Sequence, residues 1–454
     1  MKYSVITFGC RVNQADSLGF EEDLLAAGAE PVPSHAADVV IVNTCSVTAT
    51  ADQGARQTIR RVARDNPSAR IVVTGCYATR RPEEVAALPS VVQVVPNDDK
   101  PRMMSFVRNV GLQPNLDVRS VRLQPDLAET VCLKADNTYV PDERRDGDGP
   151  CGATIEPGVA GRTAFTLRVQ TGCAEPCSYC IIPSTRGRPR SVPTQDLIRE
   201  VERIAASGFK EIALTGVHLG SYGRDLEPAT SLIELLRALD EVGRRQTLSG
   251  SLSEVLFRIS SLEPMDCSRE IVDLVACSPS FAPHLHLPLQ HASSRVLAAM
   301  RRPYTIEFYS ALVDHIRARL PHASIGSDII VGFPGETDDD FEQLISYLEG
   351  SPLTHIHVFP YSDRPGTPAS TMPGKVAGSA IRDRGRRARE IGHQLTTRFR
   401  DSQVGTTHRA LTLEDGSVVV TGNYQKLRIA PGLQRNEWVV VRVTSHDHGE
   451  LLRG

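Results

Sequence analysis

Three cysteines, Cys173, Cys177 and Cys180, stand in the run Thr171-Gly172-Cys173-Ala174-Glu175-Pro176-Cys177-Ser178-Tyr179-Cys180. Three residues separate the first pair and two the second. Thiolates gathered on one short loop can hold three corners of a 4Fe-4S cube, and no fourth Cys or His lies nearby in the sequence to close the site. One iron is left open to a small molecule. A structural zinc would want four protein ligands, so the absent fourth argues for an open iron instead.

A second set of cysteines is dispersed. Cys10 follows Ile6-Thr7-Phe8-Gly9, Cys45 follows Val42-Asn43-Thr44, and Cys76 follows Val73-Thr74-Gly75, so each stands just past a strand-like run. In an open parallel sheet the carboxyl ends of the strands share one edge, where ligands bind. Three thiols at equivalent points of successive β-α units therefore converge, and a second cluster is the expectation. Cys132, Cys151, Cys267 and Cys277 lack such spacing and are assigned no ligand role.

The elements that must position these residues are legible. Lys2 to Phe8, Asp38 to Val42, Arg70 to Thr74 and Val91 to Val95 are β-branched runs, with helical spacing over Ser17 to Ala27 and Gln53 to Arg64. This is the rhythm of an open parallel α/β sheet, assigned to residues 1–130. A polar, Gly/Pro-rich linker occupies 131–162. Six strand candidates follow between helix-like segments: Phe165 to Gln170, Glu211 to Gly216, Leu256 to Ser261, His284 to Gln290, Asp328 to Gly332 and His355 to Tyr361. They predict a partial (β/α)6 TIM-like barrel over 163–394. The basic run Arg382 to Arg389 reads as a helix surface. Beyond it, Arg409 to Leu413, Ser417 to Thr421, Lys426 to Ile429 and Trp438 to Val443 are short and helix-free, which predicts a small antiparallel, OB-like β-barrel in 395–454. The overall class is α/β.

Composition bounds the function. The 454 residues are 40% hydrophobic and 23% charged, which excludes fibrous and disordered classes. No apolar stretch is long enough to cross a bilayer and no secretory leader is visible, so a cytoplasmic protein is expected, with its thiols reduced. The net charge of −3 hides a surplus of cations after Lys375, where a polyanion could dock.

The Cys-x3-Cys-x2-Cys loop just beyond the first strand of a barrel resembles the radical S-adenosylmethionine (SAM) superfamily. Combined with the Cys10, Cys45 and Cys76 set and the terminal barrel, the chain resembles the methylthiotransferase family over nearly its whole length, and the barrel is similar to that family's RNA-binding TRAM domain. Further matching stretches are Thr215 to Gly223, Arg258 to Pro264, His286 to Gln290 and Asp328 to Thr337. The resemblance implies two 4Fe-4S clusters and SAM as cofactors, with an electron donor such as flavodoxin or ferredoxin and a sulfur donor that the sequence does not identify. One SAM would methylate a sulfur held at the first triad, and a second, at Cys173, Cys177 and Cys180, would yield a radical that abstracts the unactivated C2 hydrogen of a purine. The implied partner is the anticodon loop of tRNA, whose unstacked bases a protein can extrude and read.

Three branches of the family act on threonylcarbamoyladenosine in tRNA, on isopentenyladenosine in tRNA, or on an aspartate of a ribosomal protein. Cys10-Arg11-Val12-Asn13-Gln14 and Arg301-Arg302-Pro303-Tyr304-Thr305 are similar to the first, while His291-Ala292 departs from the Ser-Gly of many relatives. A reading of another class, a non-catalytic iron–sulfur RNA-binding or redox-sensing protein, would use the same triads. Candidate SAM contacts are Tyr179, Ser261, Glu263, Gly332 and Glu336, each with an ordinary packing, capping or turn role as its alternative. Candidate substrate contacts are Arg11, Asn13 and Gln14 for a threonylcarbamoyl group and Arg186, Arg188, Arg190 and Arg428 for phosphates. His284 and His286 alternate with leucines and read as structural.

Overall fold

The computed structural model describes residues 1–46, 48–112, 163–249 and 255–452, so the expected linker, with Cys132 and Cys151, lies outside the described residues. The described residues form two compact units. One holds the N-terminal sheet with Thr171–Glu175 and Cys180–Pro189; the other holds Pro176–Tyr179, the chain from Arg190 onward and the residues leading to Gln170.

The N-terminal sheet is parallel throughout. Its strand order is Glu30–Pro31, Lys2–Thr7, Val39–Thr44, Arg70–Gly75, Val91–Val95. Alternation along each strand divides the core into two layers. Val40, Val42, Ile71 and Val73 pack with Ala55, Ile59 and Val62 of the helix Ala49–Asp65. Tyr3, Val5, Val39, Ile41 and Val72 pack with Phe20 and Leu24 of the helix Arg11–Ala26 and with Met103 and Val107 of the helix Met103–Leu112. A strand buried on both faces reads as an unbroken apolar run, which is why Val39 to Val42 stands out in the sequence. The order reverses between Lys2–Thr7 and Val39–Thr44, and the crevice at such a switch point is where ligands bind in open α/β sheets.

In the second unit the six expected strands are present: Phe165–Arg168, Glu211–Thr215, Leu256–Ile259, His284–His286, Ser324–Val331 and His355–Pro360. They pair in parallel in two groups of three. Phe257 N–H to Ser280 O at 2.7 Å and Leu262 N–H to His286 O at 2.9 Å link the groups into one open barrel. Within it, His286 Nε2 and His357 Nδ1 lie 2.9 and 3.2 Å from the same Asp328 oxygen. Burial and the neighbouring imidazoles pull the His355 pKa down to about 3, which favours its neutral form.

The helix Gly378–Gln403 passes through position 395, and the terminal barrel's first strand begins beyond it. That barrel has five antiparallel strands, in the order Lys426–Arg428, Val418–Thr421, Thr407–Leu413, Trp438–Val443, Gly449–Leu452. The last of these was not anticipated. It lets the sheet close on itself, because Arg428 N–H donates to Asp447 O at 2.7 Å at the opposite edge. Its interior is Ala410, Val419, Leu427, Ile429, Val441 and Val443. The barrel is fastened to strands of the larger barrel: Arg258 of Leu256–Ile259, ion-paired with Glu211, donates to Gly422 O at 2.9 Å and lies 4.7 Å from the Tyr424 ring. No helix among the described residues is long and apolar enough to cross a membrane.

Candidate iron–sulfur centres

Cys10, Cys45 and Cys76 stand immediately past the strands Lys2–Thr7, Val39–Thr44 and Arg70–Gly75, at the switch-point edge. Cys10 is the N-cap of the helix Arg11–Ala26, and Cys76 opens the short helix Cys76–Arg80. The Cys45 turn is pinned by Ser46, which donates to Asp52 at 2.7 Å and accepts from Arg80 at 2.7 Å. Two glycines make the crowding possible. Gly9 has φ +88°, and a Cβ there would strike the Cys45 side chain; Gly75 has φ +95°, and a Cβ there would drive into the backbone of Thr44. Gly75→Ala is therefore expected to destabilise the fold by about 1–3 kcal/mol and to displace Cys45 from Cys76. Thermal unfolding and iron content after reconstitution check it, with unchanged values of both contradicting the role given to this turn.

Beneath the cysteines lies a buried polar network that the sequence did not announce. Asn13 is wholly buried: its Nδ2 donates to Phe8 O at 2.8 Å and Thr44 O at 3.0 Å, and its Oδ1 accepts from Arg186. Its amide is thus spent on tying the Cys10 and Cys45 turns together, and the expectation that Asn13 contacts the substrate is corrected. Arg186, expected on phosphate, is 2% exposed. It lies 3.4 Å from Asp16, whose closer bond, 2.6 Å, is to Lys100. An arginine with its stem and head both enclosed cannot reach a nucleic acid, so this expectation too is corrected. Arg188 and Arg190 are exposed and remain candidates, and Arg11 and Gln14 are partly exposed.

Charge tests whether an iron–sulfur cluster fits here. Lys100 lies 2.6 Å and Arg186 3.4 Å from Asp16, so two buried basic side chains gather at one carboxylate. Burial pulls the Lys100 ammonium down, with Asp16 opposing. Burial also disfavours charged Arg186, but Cys76, Asp16 and Cys10 outweigh it and the guanidinium remains a cation. Burial pushes the Cys10 thiol up, with Arg186 opposing. Buried cations favour an anionic group beside them. Three thiolates on a 4Fe-4S cube supply net negative charge at that place, so the residues fit the group.

The other triad follows the strand Phe165–Arg168. Cys173 and Cys177 are buried and Cys180 partly so. Glu175 N–H donates to Cys173 Sγ at 3.4 Å, and Gly172, at φ +77°, approaches the backbone of Arg188 too closely for a side chain. In the second unit Arg302 Nη1 donates to Cys177 Sγ at 3.2 Å while the same guanidinium is ion-paired with Glu263 and hydrogen-bonded to Tyr304. Glu263, expected on SAM, is thus already tied to a cation beside a ligand cysteine. Arg302 was noted in the sequence only as a branch marker; its contact with Cys177, far along the chain, has no periodic signal. Tyr179 is buried with its ring 6.5 Å from Phe333, edge to face. Ser261 is partly exposed.

Gly332 turns at φ +81° as expected, under Ile381. Glu336 is turned inward beneath that turn: its carboxylate accepts Gly332 N–H at 2.7 Å, Phe333 N–H at 3.0 Å and Arg384 Nη1 at 2.8 Å. Burial raises its pKa, with Arg384 the leading opposition. Its expected contact with SAM is corrected to a role in holding the turn. Arg384, from the run read as a helix surface, is the buried exception there. Arg428 is exposed on the terminal barrel, as are Lys426 and Arg442.

Residues 2–96 match the Uncharacterized protein family UPF0004, and residues 167–348 match the Radical SAM superfamily. The chain is 34% identical over 397 residues to the threonylcarbamoyladenosine tRNA methylthiotransferase MtaB of Bacillus subtilis, covering 87% of this chain and 80% of that one. Identity to the MtaB of Aquifex aeolicus is 34% over 425 residues, covering 93% and 95%. A tRNA-2-methylthio-N(6)-dimethylallyladenosine synthase of Leifsonia xyli is 30% identical, with 89% and 70% covered. Among solved structures, the radical SAM methyltransferase TsrM from Kitasatospora setae shares the fold, with TM-score 0.56 at 16% identity over 81% of this chain and 74% of that one.

Proposed function

Because the chain belongs to the radical SAM methylthiotransferase family, whose members use SAM and a 4Fe-4S cluster, we propose that it adds a methylthio group to C2 of N6-threonylcarbamoyladenosine at position 37 of tRNA. The observation that carries this reading is the second triad, Cys10, Cys45 and Cys76, beside the buried Arg186 and Lys100 at the switch point of its own sheet. A radical SAM enzyme that only abstracted hydrogen would have no use for it. We assign a second 4Fe-4S cluster to that triad and the SAM-binding cluster to Cys173, Cys177 and Cys180. When bound, the SAM cluster supplies the electron that makes a carbon radical, chemistry that an unactivated purine C2–H demands.

The chain's own residues hold these groups. Asn13, Asn43 and Asp16 fix the turns that carry Cys10 and Cys45, and Arg302 orients Cys177. The electron would come from a low-potential one-electron donor such as flavodoxin or ferredoxin, in the cytoplasm. We divide the chain at about 130, at 162 and, moving the expected boundary at 394 past the helix that spans it, after Gln403, the last domain gripping RNA. The branch rests on the names of the relatives and on Arg11 and Gln14, which could meet the carboxylate and hydroxyl of a threonylcarbamoyl group; an isopentenyl group would want an apolar pocket instead. The test is a side-by-side assay of reconstituted protein on tRNAs bearing each modification, read by nucleoside mass spectrometry. Methylthiolation of the threonylcarbamoyl form is expected, and product from the isopentenyl form alone would reject the branch.

For the terminal barrel, outward alternation along Lys426–Arg428 and Trp438–Val443 leaves Lys426, Arg428 and Arg442 exposed, and the barrel also carries a groove lined by Arg409, Trp438 and Leu452. The Arg409 guanidinium lies 3.8 Å from the Trp438 ring centroid, a cation held against an aromatic ring in that groove. Replacing Lys426, Arg428 or Arg442 by Ala is expected to weaken tRNA binding and to reduce the salt slope by about 1 each. Filter binding across a salt series measures it, and slopes equal to that of the parent would count against an RNA-gripping barrel.

A further inference from the structure

We propose that His286, Asp328 and His357 form a zinc site in the larger barrel, one that uses none of the six cluster cysteines and does not depend on what those cysteines hold. The three residues come from the adjacent parallel strands His284–His286, Ser324–Val331 and His355–Pro360. In their register, His286 and His355 both stand opposite Gly326, and Asp328 stands opposite His357. Residues two apart on a strand share a face. His286, Asp328 and His357 are thereby brought to neighbouring positions on one face of the sheet.

Their spacing is that of a ligand set. His286 Nε2 lies 2.9 Å and His357 Nδ1 3.2 Å from Asp328 Oδ1, and one ligand atom from each of the three residues lies within 4.8 Å of the other two. Ligand atoms around a tetrahedral zinc, with bonds of about 2.0–2.1 Å, stand about 3.3 Å apart, so small side-chain movements admit an ion. Gly326 keeps the room for the imidazoles, because a Cβ there would strike both His355 and His286. The side chains of His286 and Asp328 are 5% and 6% exposed and that of His357 is 20% exposed, which gives an ion a way in.

Two imidazoles and a carboxylate suit zinc better than ferrous iron by the general order of affinities, and three protein ligands with a fourth position left to water is a recurrent zinc arrangement. A neutral imidazole carries one N–H and one lone pair. Binding turns the lone pairs of His286 Nε2 and His357 Nδ1 to the ion, with the ring protons on the opposite nitrogens, and the Asp328 carboxylate supplies negative charge. No electron moves. The ion would tie three strands together.

The experiment uses the full chain with both triads reconstituted, dialysed anaerobically against zinc and then against metal-free buffer. Zinc and iron are counted by mass spectrometry, and the zinc ligands are read by X-ray absorption. One zinc per chain is expected with iron unchanged, surrounded by nitrogen and oxygen at about 2.0–2.1 Å, without the sulfur shell at about 2.3 Å that cysteine binding would give. Asp328→Asn and His357→Ala should each lose that zinc, whereas His393→Ala, at an exposed histidine, should keep it. No zinc retained, zinc ringed only by sulfur, or equal zinc in the parent and both ligand variants overturns the proposal. Should the ligand variants fail to fold, the parent's absorption spectrum decides: a shell of two imidazoles and a carboxylate supports the site, and any other shell overturns it.

Discussion

Replacing Cys173, Cys177 and Cys180 together by Ala is expected to remove about half of the iron taken up on anaerobic reconstitution and all reductive cleavage of SAM. The effect is total because each cysteine supplies one corner and no other Cys or His stands nearby in the sequence to substitute. Nor does the protein leave the loop slack: Cys177 is oriented by Arg302 and the Cys173 turn by the positive φ of Gly172. Iron content by chelation and 5′-deoxyadenosine by chromatography measure the two losses. Unchanged iron would remove the basis for assigning these residues to a cluster.

The corresponding substitution at Cys10, Cys45 and Cys76 is expected to leave SAM cleavage in place and abolish methylthio transfer. These thiols belong to a separate sheet with its own two-layer core, so losing them should not disturb the barrel. It should, however, remove anionic thiolates from beside the buried Arg186 and Lys100, a loss that costs stability. The apo variant is therefore expected to unfold at lower temperature than the reconstituted parent. Loss of SAM cleavage with the other triad's iron intact would mean that the two sites do not divide the work as assigned.

What the sequence disclosed was what local spacing can encode. Cys-x3-Cys-x2-Cys needs only one loop, and β-branched runs separated by helical spacing specify parallel strands; both are in place in the structure. The pairings hidden from it are those between distant residues. Lys100 meets Asp16, Arg186 meets Asn13, and Arg302 meets Cys177, none of which any periodicity can signal. One hint was present. Asn13, Asp16 and Ser17 recur at helical spacing on the buried side of the helix Arg11–Ala26, where apolar residues would ordinarily stand, and polar residues on a core face mark a network that needs partners. The same long-range bonding explains the corrections: Asn13, Arg186 and Glu336 carry the right chemistry for ligands but spend it on holding the turns beside them. The fifth strand of the terminal barrel, Gly449–Leu452, was missed because it is short and follows a polar, turn-forming stretch, its strand character coming from the partner edge at Trp438–Val443.

The division of labour between the triads is tested most directly by incubating the reconstituted protein anaerobically with methyl-labelled SAM, in the absence of both reductant and tRNA, and measuring label retained on the protein. The account predicts that the parent keeps the label, since methylation of a sulfur at the first triad needs no electron, and that the variant lacking Cys10, Cys45 and Cys76 keeps none. Equal retention by that variant, or retention by the parent only after a reductant is added, would contradict it.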